Sequence, residues 1–175
     1  MEWKEVFVPG DGNCLFHALS VVWGDNAALS RRNTVIDAFL NPQGPAETKI
    51  VESTLDTWTQ MKQVFPMEVA HVVMENDQIH RVKTAENMKH PWMYWGDEFA
   101  LAILEERENI NIGLIEQIFP LRVIQRPIIT LPKKYCCVLK LVHHHYTPTL
   151  LNDQGVFLTN TCPDLYLSVF HYETV

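Results

Sequence analysis

A run of turn residues, followed by a cysteine and an apolar helix pattern, constrains the fold of this chain most. Pro9, Gly10 and Gly12 break regular structure, and the glycines let the backbone pass close to a ligand. Asn13 is a good helix N-cap residue, and the apolar spacing after it is typical of an amphipathic helix. The sequence therefore predicts a tight turn that leads into a helix with Cys14 in its first turn.

This position suits a nucleophilic cysteine. The positive end of the helix dipole favours the thiolate, which is the nucleophilic form of cysteine. The backbone N–H groups around Gly12 and Asn13 are predicted to hold an oxyanion. The alternative is an inert packing cysteine, because free cysteine is among the most buried residue types. The turn before Cys14 favours the nucleophile, since a packing cysteine needs no such approach.

A candidate base lies about 130 positions downstream, where an apolar segment ends. Residues 135–142 are rich in β-formers and predict a buried strand, which is followed by His143, His144 and His145. A separation of about 130–150 residues between cysteine and histidine is typical of papain-type enzymes. Such a pair can meet only through tertiary structure.

The three consecutive histidines also raise the alternative of a metal site. Neighbouring residues on a strand point to opposite faces, so His143 and His145 are expected on one side and His144 on the other. No carboxylate or Cys-x-x-Cys pair nearby completes a zinc site. We therefore predict neither a metal nor a cofactor.

Three sequence blocks, spread over residues 8–150, fit together as the motifs of one enzyme family. The first is Asp-Gly-Asn-Cys-Leu-Phe at residues 11–16. The second is a Trp-Gly turn with the helix pattern after it, residues 94–104, and a strand pattern follows at residues 110–115. The third is the His-Tyr pair that begins at His145. Together they resemble the ovarian-tumour (OTU) family of cysteine deubiquitinases, which implies a papain-like α+β fold.

The resemblance implies a role for each residue that matches these motifs. Cys14 is the implied nucleophile and His145 the general base. Asp11 takes the acidic position three residues before the cysteine, which is usually counted with the active site. His17 stands where an arginine is common, and we interpret it as a residue of the helix surface and not as a second base.

One departure from the family pattern concerns the residue that orients the histidine ring. Many members have Asn or Asp two residues after the histidine, whereas this chain has Thr147. A threonine hydroxyl accepts a hydrogen bond but carries no charge, so it stabilises an imidazolium less well. Asp11, Asn152 and Asp153 stay open as alternative partners of His145.

The implied reaction is acyl transfer at the C-terminal glycine of ubiquitin, with a lysine side chain as the usual leaving amine. His145 would take the proton of Cys14, and the thiolate would attack the carbonyl to form a thioester that water hydrolyses. A substrate tail that ends in two glycines needs a narrow channel. Trp95, Tyr94 and Tyr146 are the candidate walls of this channel, with core packing as the alternative for Trp95.

Three functions stay open. The first is an isopeptidase that removes ubiquitin, polyubiquitin or a ubiquitin-like modifier from proteins. The second is a cysteine endopeptidase of the same fold that cleaves a polyprotein. The third is a catalytically inactive ubiquitin-binding module. The presence of Asp11, Cys14 and His145 favours the enzymes, and only Thr147 favours the module.

Composition fits a single domain that does not bind nucleic acid. The chain has 175 residues, of which 47% are hydrophobic, so we expect one domain over residues 1–175 with its own core, and a monomer. A formal charge of −7 argues against binding to a phosphate backbone and suits a basic partner, such as the arginine-containing tail of ubiquitin.

Cysteine usage and hydropathy predict an intracellular protein. The four cysteines form no obvious disulfide framework, and Cys136 and Cys137 are predicted to be buried thiols inside a strand. The first residues are too polar for a signal peptide, and no apolar run is long enough to span a membrane. We expect the cytoplasm or the nucleus, and the host cytoplasm if the chain is a viral or bacterial effector.

The hydrophobic pattern predicts helices first and strands later, in one α+β domain with helices packed on a small mixed or antiparallel sheet. The polar stretch 77–87 stays without assignment. Helices are predicted at residues 14–23, 27–40, 46–64, 67–74 and 97–107, and strands at 5–8, 112–115, 121–125, 135–142, 146–151 and 165–172.

The region between Asp25 and Lys89 carries no motif of its own. In the family this region commonly forms an arm that holds ubiquitin. Met67, Val72 and Ile79 are then candidate contacts, although ordinary core packing is the stronger interpretation for each of them.

Overall fold

Six helices and a six-stranded sheet make up the computed structural model, which describes residues 2–73, 77–126 and 132–170, without the side chain of residue 165. In chain order the elements are β1 (Trp3–Glu5), α1 (Cys14–Trp23), α2 (Ala28–Leu40), α3 (Gly44–Val64), α4 (Gln78–Met88), α5 (Glu98–Glu108), β2 (Ile110–Gln117), β3 (Arg122–Ile124), β4 (Tyr135–Val142), β5 (His145–Leu151), β6 (Phe157–Leu158) and α6 (Asp164–Phe170). A single 3₁₀ turn lies between β6 and α6.

The sheet is mixed, with the strand order β1-β5-β4-β2-β3 and β6 paired to β4. β2 and β4 run parallel, whereas the other pairs are antiparallel. A two-residue turn joins β4 to β5, so the end of β4 and the start of β5 lie side by side. This hairpin presents its tip towards the start of α1, which contacts β5 closely.

Both faces of the sheet are covered. Alternate residues of β4 point to opposite sides, as expected for a strand: Cys137 and Leu139 join the large core beneath α1–α5, and Cys136 and Val138 join a smaller core beneath α6. Burial raises the pKa of both thiols, that of Cys136 to about 12. The prediction that these two cysteines are buried is confirmed.

Most predicted elements agree with the observed ones within two residues. α1 and β4 have the predicted bounds, and the unassigned stretch after residue 76 contains α4, whose N-cap Asp77 accepts a hydrogen bond from the N–H of His80 at 2.9 Å. β1 lies earlier than the predicted strand 5–8, because the chain leaves the sheet at the exposed Phe7. None of the helices in the described part of the chain combines the length and apolarity that a bilayer crossing needs.

The helix predicted at residues 67–74 is wrong. The chain forms successive turns there, held by hydrogen bonds from Glu68 N–H to Phe65 O and from Val72 N–H to Val69 O. The buried residues of this stretch include Val69, His71 and Val72, a spacing that does not form one helix face. The last predicted residue, Met74, lies outside the described residues.

The strand predicted at residues 165–172 is also wrong, because most of this segment is α6. Among the described side chains of this segment, Tyr166 and Val169 are buried and Phe170 is half-buried. Residues three and four positions apart share a helix face, and Leu167 is exposed on the other side. The end of the predicted strand, residues 171–172, lies outside the described residues.

Candidate active site

The turn before α1 is shaped by two glycines that no other residue can replace without strain. Gly12 has φ +88°, and a Cβ there would overlap the carbonyl oxygen of Pro91. Gly96 has φ +86°, and its Cβ would lie 2.6 Å from Cδ2 of Leu15 in the first turn of α1. Segment 91–96 is therefore packed directly against the turn that carries Cys14.

Asn13 occupies the N-cap position of α1 as predicted, but its side chain makes no capping hydrogen bond within the described residues. Its Oδ1 instead accepts two hydrogen bonds from Arg32, at 3.1 and 2.7 Å. The first intrahelical bond of α1 runs from His17 N–H to Asn13 O at 2.9 Å. The N–H groups of Cys14 and the next two residues precede that bond and point out of the helix end.

The structure brings Cys14 and His145 together. The N–H of Tyr146 donates to the Cys14 Sγ at 3.5 Å, and the thiol lies 3.9 Å from the carbonyl oxygen of His144, to which it donates. The sulfur, in a residue only 4% exposed, thus lies against the backbone on both sides of His145. A Cβ on Gly10 would lie 3.6 Å from Nδ1 of His145, so the imidazole borders the turn.

The two histidines before His145 form the tip of the β4–β5 hairpin. His143 has φ +51° and His144 has φ +62°, so both lie in the left-handed region that a two-residue type I′ turn requires. The predicted strand alternation of the three side chains therefore does not apply to His143 and His144. No group of three or more His, Cys, Asp or Glu side chains within the described residues is arranged to hold a metal ion.

Asp11 closes the turn before the nucleophile. Its Oδ1 accepts a hydrogen bond from the N–H of Asn13 at 3.0 Å, the two-residue pattern by which aspartate stabilises turns. Its Oδ2 lies 3.9 Å from Nε2 of His17, and both side chains are substantially exposed, which agrees with our interpretation of His17 as a surface residue. The carboxylate of Asp11 thus contacts the turn and α1.

The other residues predicted as possible partners of the His145 ring are Thr147, Asn152 and Asp153. Thr147 lies two residues after His145 in β5, so the two side chains share one side of the strand. Asn152 accepts a hydrogen bond from the N–H of Glu2, and Asp153 forms an ion pair in the same N-terminal segment. Asn152 and Asp153 therefore hold the N-terminal segment against the end of β5.

A cleft of about 550 Å³ lies beside the nucleophile turn. His144 and Tyr146, whose backbone contacts the Cys14 sulfur, line this cleft, whereas Cys14 and His145 themselves do not. Trp95 also lines it and is 51% exposed, so it forms a wall and is not part of the core. Tyr94 and Tyr146 are buried wall residues. The larger side chains of the lining include Trp58, Met61, Met67, His71, Trp92, Tyr94, Trp95, Leu101, Leu114, Arg126, Leu141, His144 and Tyr146.

The buried carboxyl group of Asp97 supports the cleft wall next to α3. Asp97 accepts hydrogen bonds from the Tyr94 hydroxyl at 2.7 Å and from Nε1 of Trp58 at 3.0 Å, and it caps α5 through the N–H of Ala100. Burial raises the pKa of Asp97. These bonds fix the segment that leads to the Trp-Gly turn.

His71 packs edge-on against this cluster. Its ring lies 4.4 Å from that of Trp58 and 4.7 Å from that of Tyr94, measured between centroids. Neither ring nitrogen has a hydrogen-bond partner among the described residues. Burial, with a smaller contribution from Lys62, lowers the pKa of His71 to about 3, so the imidazole is neutral at physiological pH.

The three residues between Asp25 and Lys89 that were candidate contacts with ubiquitin lie in different environments. Met67 is exposed and lines the cleft, whereas Ile79 is exposed and does not belong to the cleft lining. Val72 is buried in the core, as the ordinary interpretation expects.

Sequence reasoning missed the contribution of Arg32 to this site. Arg32 lies on the helix face that Val35, Ile36 and Phe39 define, at positions i+3, i+4 and i+7, and all four residues are buried. An arginine on an otherwise apolar helix face was the available signal. No comparable pattern marks Trp92, which lines the cleft and stacks on His90.

No family model and no curated protein matches this sequence. Solved structures do superpose on the chain. An OTU domain in complex with ubiquitin has a TM-score of 0.59 at 15% identity and covers 95% of this chain and 81% of its own. The OTU domain of OTUD1 has a TM-score of 0.47 at 16% identity, covering 89% and 85%, and the viral OTU domain protease from Farallon virus has 0.42 at 17%, covering 91% and 86%.

Proposed function

We propose that this chain, which has the fold of an OTU domain, is a cysteine deubiquitinase. Its reaction is hydrolysis of the bond after the C-terminal glycine of ubiquitin or a ubiquitin-like modifier. The position of the Cys14 sulfur against the backbone on both sides of His145, beside a cleft that His144 and Tyr146 line, carries this proposal. The similar OTU domain that binds ubiquitin supports ubiquitin as the partner.

The reaction begins with transfer of the Cys14 proton to the imidazole of His145. The thiolate then attacks the glycine carbonyl, and the N–H groups at the start of α1 hold the oxyanion that forms. When the tetrahedral intermediate collapses, the C–N bond breaks and His145 gives its proton to the leaving amine. Water, deprotonated by His145, hydrolyses the thioester and restores the thiol.

The cleft supports an extended tail as the substrate. Trp95 and Tyr146 line it with flat aromatic rings, which suit a chain without side chains, such as two consecutive glycines. Much of the remaining lining is apolar and aromatic, and the carboxylate of Glu98 within it is held by Arg126 at 2.6 Å. Four free cysteines support a reducing compartment, and we propose the cytoplasm.

The experiment is to treat the protein with ubiquitin that carries a C-terminal electrophile and to record the intact mass. We expect a single adduct that disappears in Cys14→Ala. Cys162→Ala is the matched control, because Cys162 is also free and more exposed, and it should retain the adduct. Absence of an adduct in the wild type, while iodoacetamide alkylates Cys14, would contradict ubiquitin as the substrate and favour another modifier or an endopeptidase.

A further inference from the structure

Arg32 makes an unusual set of hydrogen bonds around the nucleophile turn. Its side chain is 2% exposed. Nε and Nη2 both donate to Oδ1 of Asn13, and Nη2 also donates to the carbonyl oxygen of Gly12 at 2.9 Å. Nη1 donates to the carbonyl oxygens of Met88 at 2.8 Å and of Tyr94 at 2.7 Å. One guanidinium therefore joins the turn, the end of α4 and the start of the Trp-Gly segment.

The neighbouring Arg31 shows what is unusual about Arg32. Arg31 is equally buried, but it pairs with Asp25 and Glu108, both at 2.8 Å. Burial alone would lower its pKa, yet these carboxylates raise it. Every hydrogen-bond acceptor of Arg32 within the described residues is uncharged, and burial lowers its pKa. A buried cation without a hydrogen-bonded carboxylate costs stability, which the charge of Asp11 and the ring of Phe16, 4.7 Å away, offset only in part, so its position calls for an explanation.

The geometry at the start of α1 supplies that explanation. An asparagine at the N-cap normally turns its oxygen onto the N–H groups of the first helical turn. Here the two bonds from Arg32 hold the oxygen of Asn13 away from them, and the helix start has no side-chain cap in the part that the structure describes. The N–H groups that would hold an oxyanion are thereby kept available, and the turn that bears them is fixed.

We propose that Arg32 is a positioning residue for the oxyanion-binding N–H groups at the start of α1. It acts through Asn13 and Gly12 and does not touch the substrate. This inference rests on the proposed acyl-transfer function. It predicts a defect only in reactions that form an oxyanion at the carbonyl under attack, because the sulfur itself stays in place against the β4–β5 hairpin.

Two reactions of the same sulfur separate these effects. With iodoacetamide, the Cys14 thiolate displaces iodide from a saturated carbon, and no oxyanion forms. With p-nitrophenyl acetate, the thiolate attacks the acetyl carbonyl, an oxyanion forms, p-nitrophenolate leaves, and the sulfur becomes a thioester. Both rates are followed at Cys14 by intact mass, and the ratio of acetylation to alkylation reports the oxyanion-binding groups alone.

The informative variant is Arg32→Lys, and its matched control is Arg31→Lys. A lysine keeps the charge but lacks the planar fork that bonds three segments at once. We expect the ratio to fall about tenfold or more in Arg32→Lys, in line with the cost of displacing or losing oxyanion donors. Arg31→Lys should keep the wild-type ratio, although it removes part of an equally buried hydrogen-bond network.

A second variant covers the case in which Arg32→Lys does not fold. Asn13→Ala removes the anchor through which Arg32 fixes the turn, at a residue that is only half-buried. Because it also leaves the N–H groups uncapped, it should lower the ratio by less than Arg32→Lys does. The double variant should lose no more than Arg32→Lys alone, because it lacks the Asn13 oxygen that could otherwise cap these N–H groups.

Three results would overturn the inference. The first is a wild-type ratio of acetylation to alkylation in folded Arg32→Lys or in Asn13→Ala. The second is an equal fall of both rates, which indicates a structural role. The third is that Cys14 of the wild-type protein is alkylated but not acetylated. None of these measurements uses ubiquitin, so failure of this inference and failure of the proposed function are told apart.

Discussion

The two walls that meet at the Cys14 sulfur are built in different ways. The nucleophile wall, residues 10–16 and 88–96, is packed around the buried guanidinium of Arg32. The histidine wall, residues 141–147, is a hairpin whose tip is exposed and which its cross-strand bonds hold in register. The first wall is fixed by tertiary contacts, whereas the second is fixed by its local backbone.

Backbone conformation shows the same contrast. On the nucleophile wall the residues with positive φ are Gly12 and Gly96, for which this conformation carries no steric cost. On the histidine wall they are His143 and His144, which pay a penalty for it. Strained residues of this kind cluster at functional sites. The nucleophile wall therefore adopts its shape without backbone strain, whereas the hairpin tip carries strain directly before His145.

The largest effect is expected where the two walls meet. Cys14→Ala should abolish turnover of a ubiquitin substrate, and His145→Ala should lower kcat by about 10⁶-fold, the order found when the base of a nucleophile–histidine pair is removed. His143→Ala is the control on the same hairpin, because its side chain is exposed and it does not belong to the cleft lining. Equal losses in His143→Ala and His145→Ala would contradict the assigned role of His145.

The shape of the nucleophile wall is tested by two glycines in the same turn. Gly12→Ala forces a Cβ onto the carbonyl oxygen of Pro91 at a positive φ, so the free energy of unfolding should fall by about 3 kcal/mol. Gly10→Ala is the matched control. Its Cβ would meet the His145 ring at 3.6 Å, an ordinary contact, and we expect a change of about 1 kcal/mol or less. Urea unfolding measures both, and equal losses would contradict the contrast.

The free energy of unfolding should depend on pH through His71, which packs against the nucleophile wall at Tyr94. Because its folded pKa, about 3, lies below its unfolded value of 6.5, the unfolded state binds the proton more readily. The contribution of His71 to the free energy of unfolding is therefore lost as pH falls from about 6.5 towards 3, by about 2 kcal/mol between pH 6.5 and 5. His71→Phe should flatten urea-derived stability over this range. An unchanged slope in the variant would show that other groups cause the dependence.

The sequence predicted the nucleophile wall well where its signals are local. The start of α1 at Cys14 follows from turn and cap residues that stand next to it in the chain, and the predicted OTU-like α+β fold is confirmed. The apolar helix face around Arg32 indicates that its side chain is buried, but its partners lie up to 62 positions away, so no local pattern shows what it binds. The helix predicted at 67–74 and the strand at 165–172 failed for a related reason, since tertiary packing decides which of their apolar residues are buried.

The smallest expected change in stability concerns the backbone strain at the tip of the histidine wall, and it is also the sharpest test of that wall. His143→Gly and His144→Gly each place glycine where φ is positive, which relieves the steric strain of the turn. Glycine also raises the entropy of the unfolded chain, which opposes this gain, and we expect a net rise of the free energy of unfolding of at most about 1 kcal/mol. Only His144 lines the cleft, so only His144→Gly should also change KM for a ubiquitin substrate. If His143→Gly instead lowers stability in urea unfolding, contacts of the His143 side chain outweigh the strain, and the two walls are more alike than their backbones indicate.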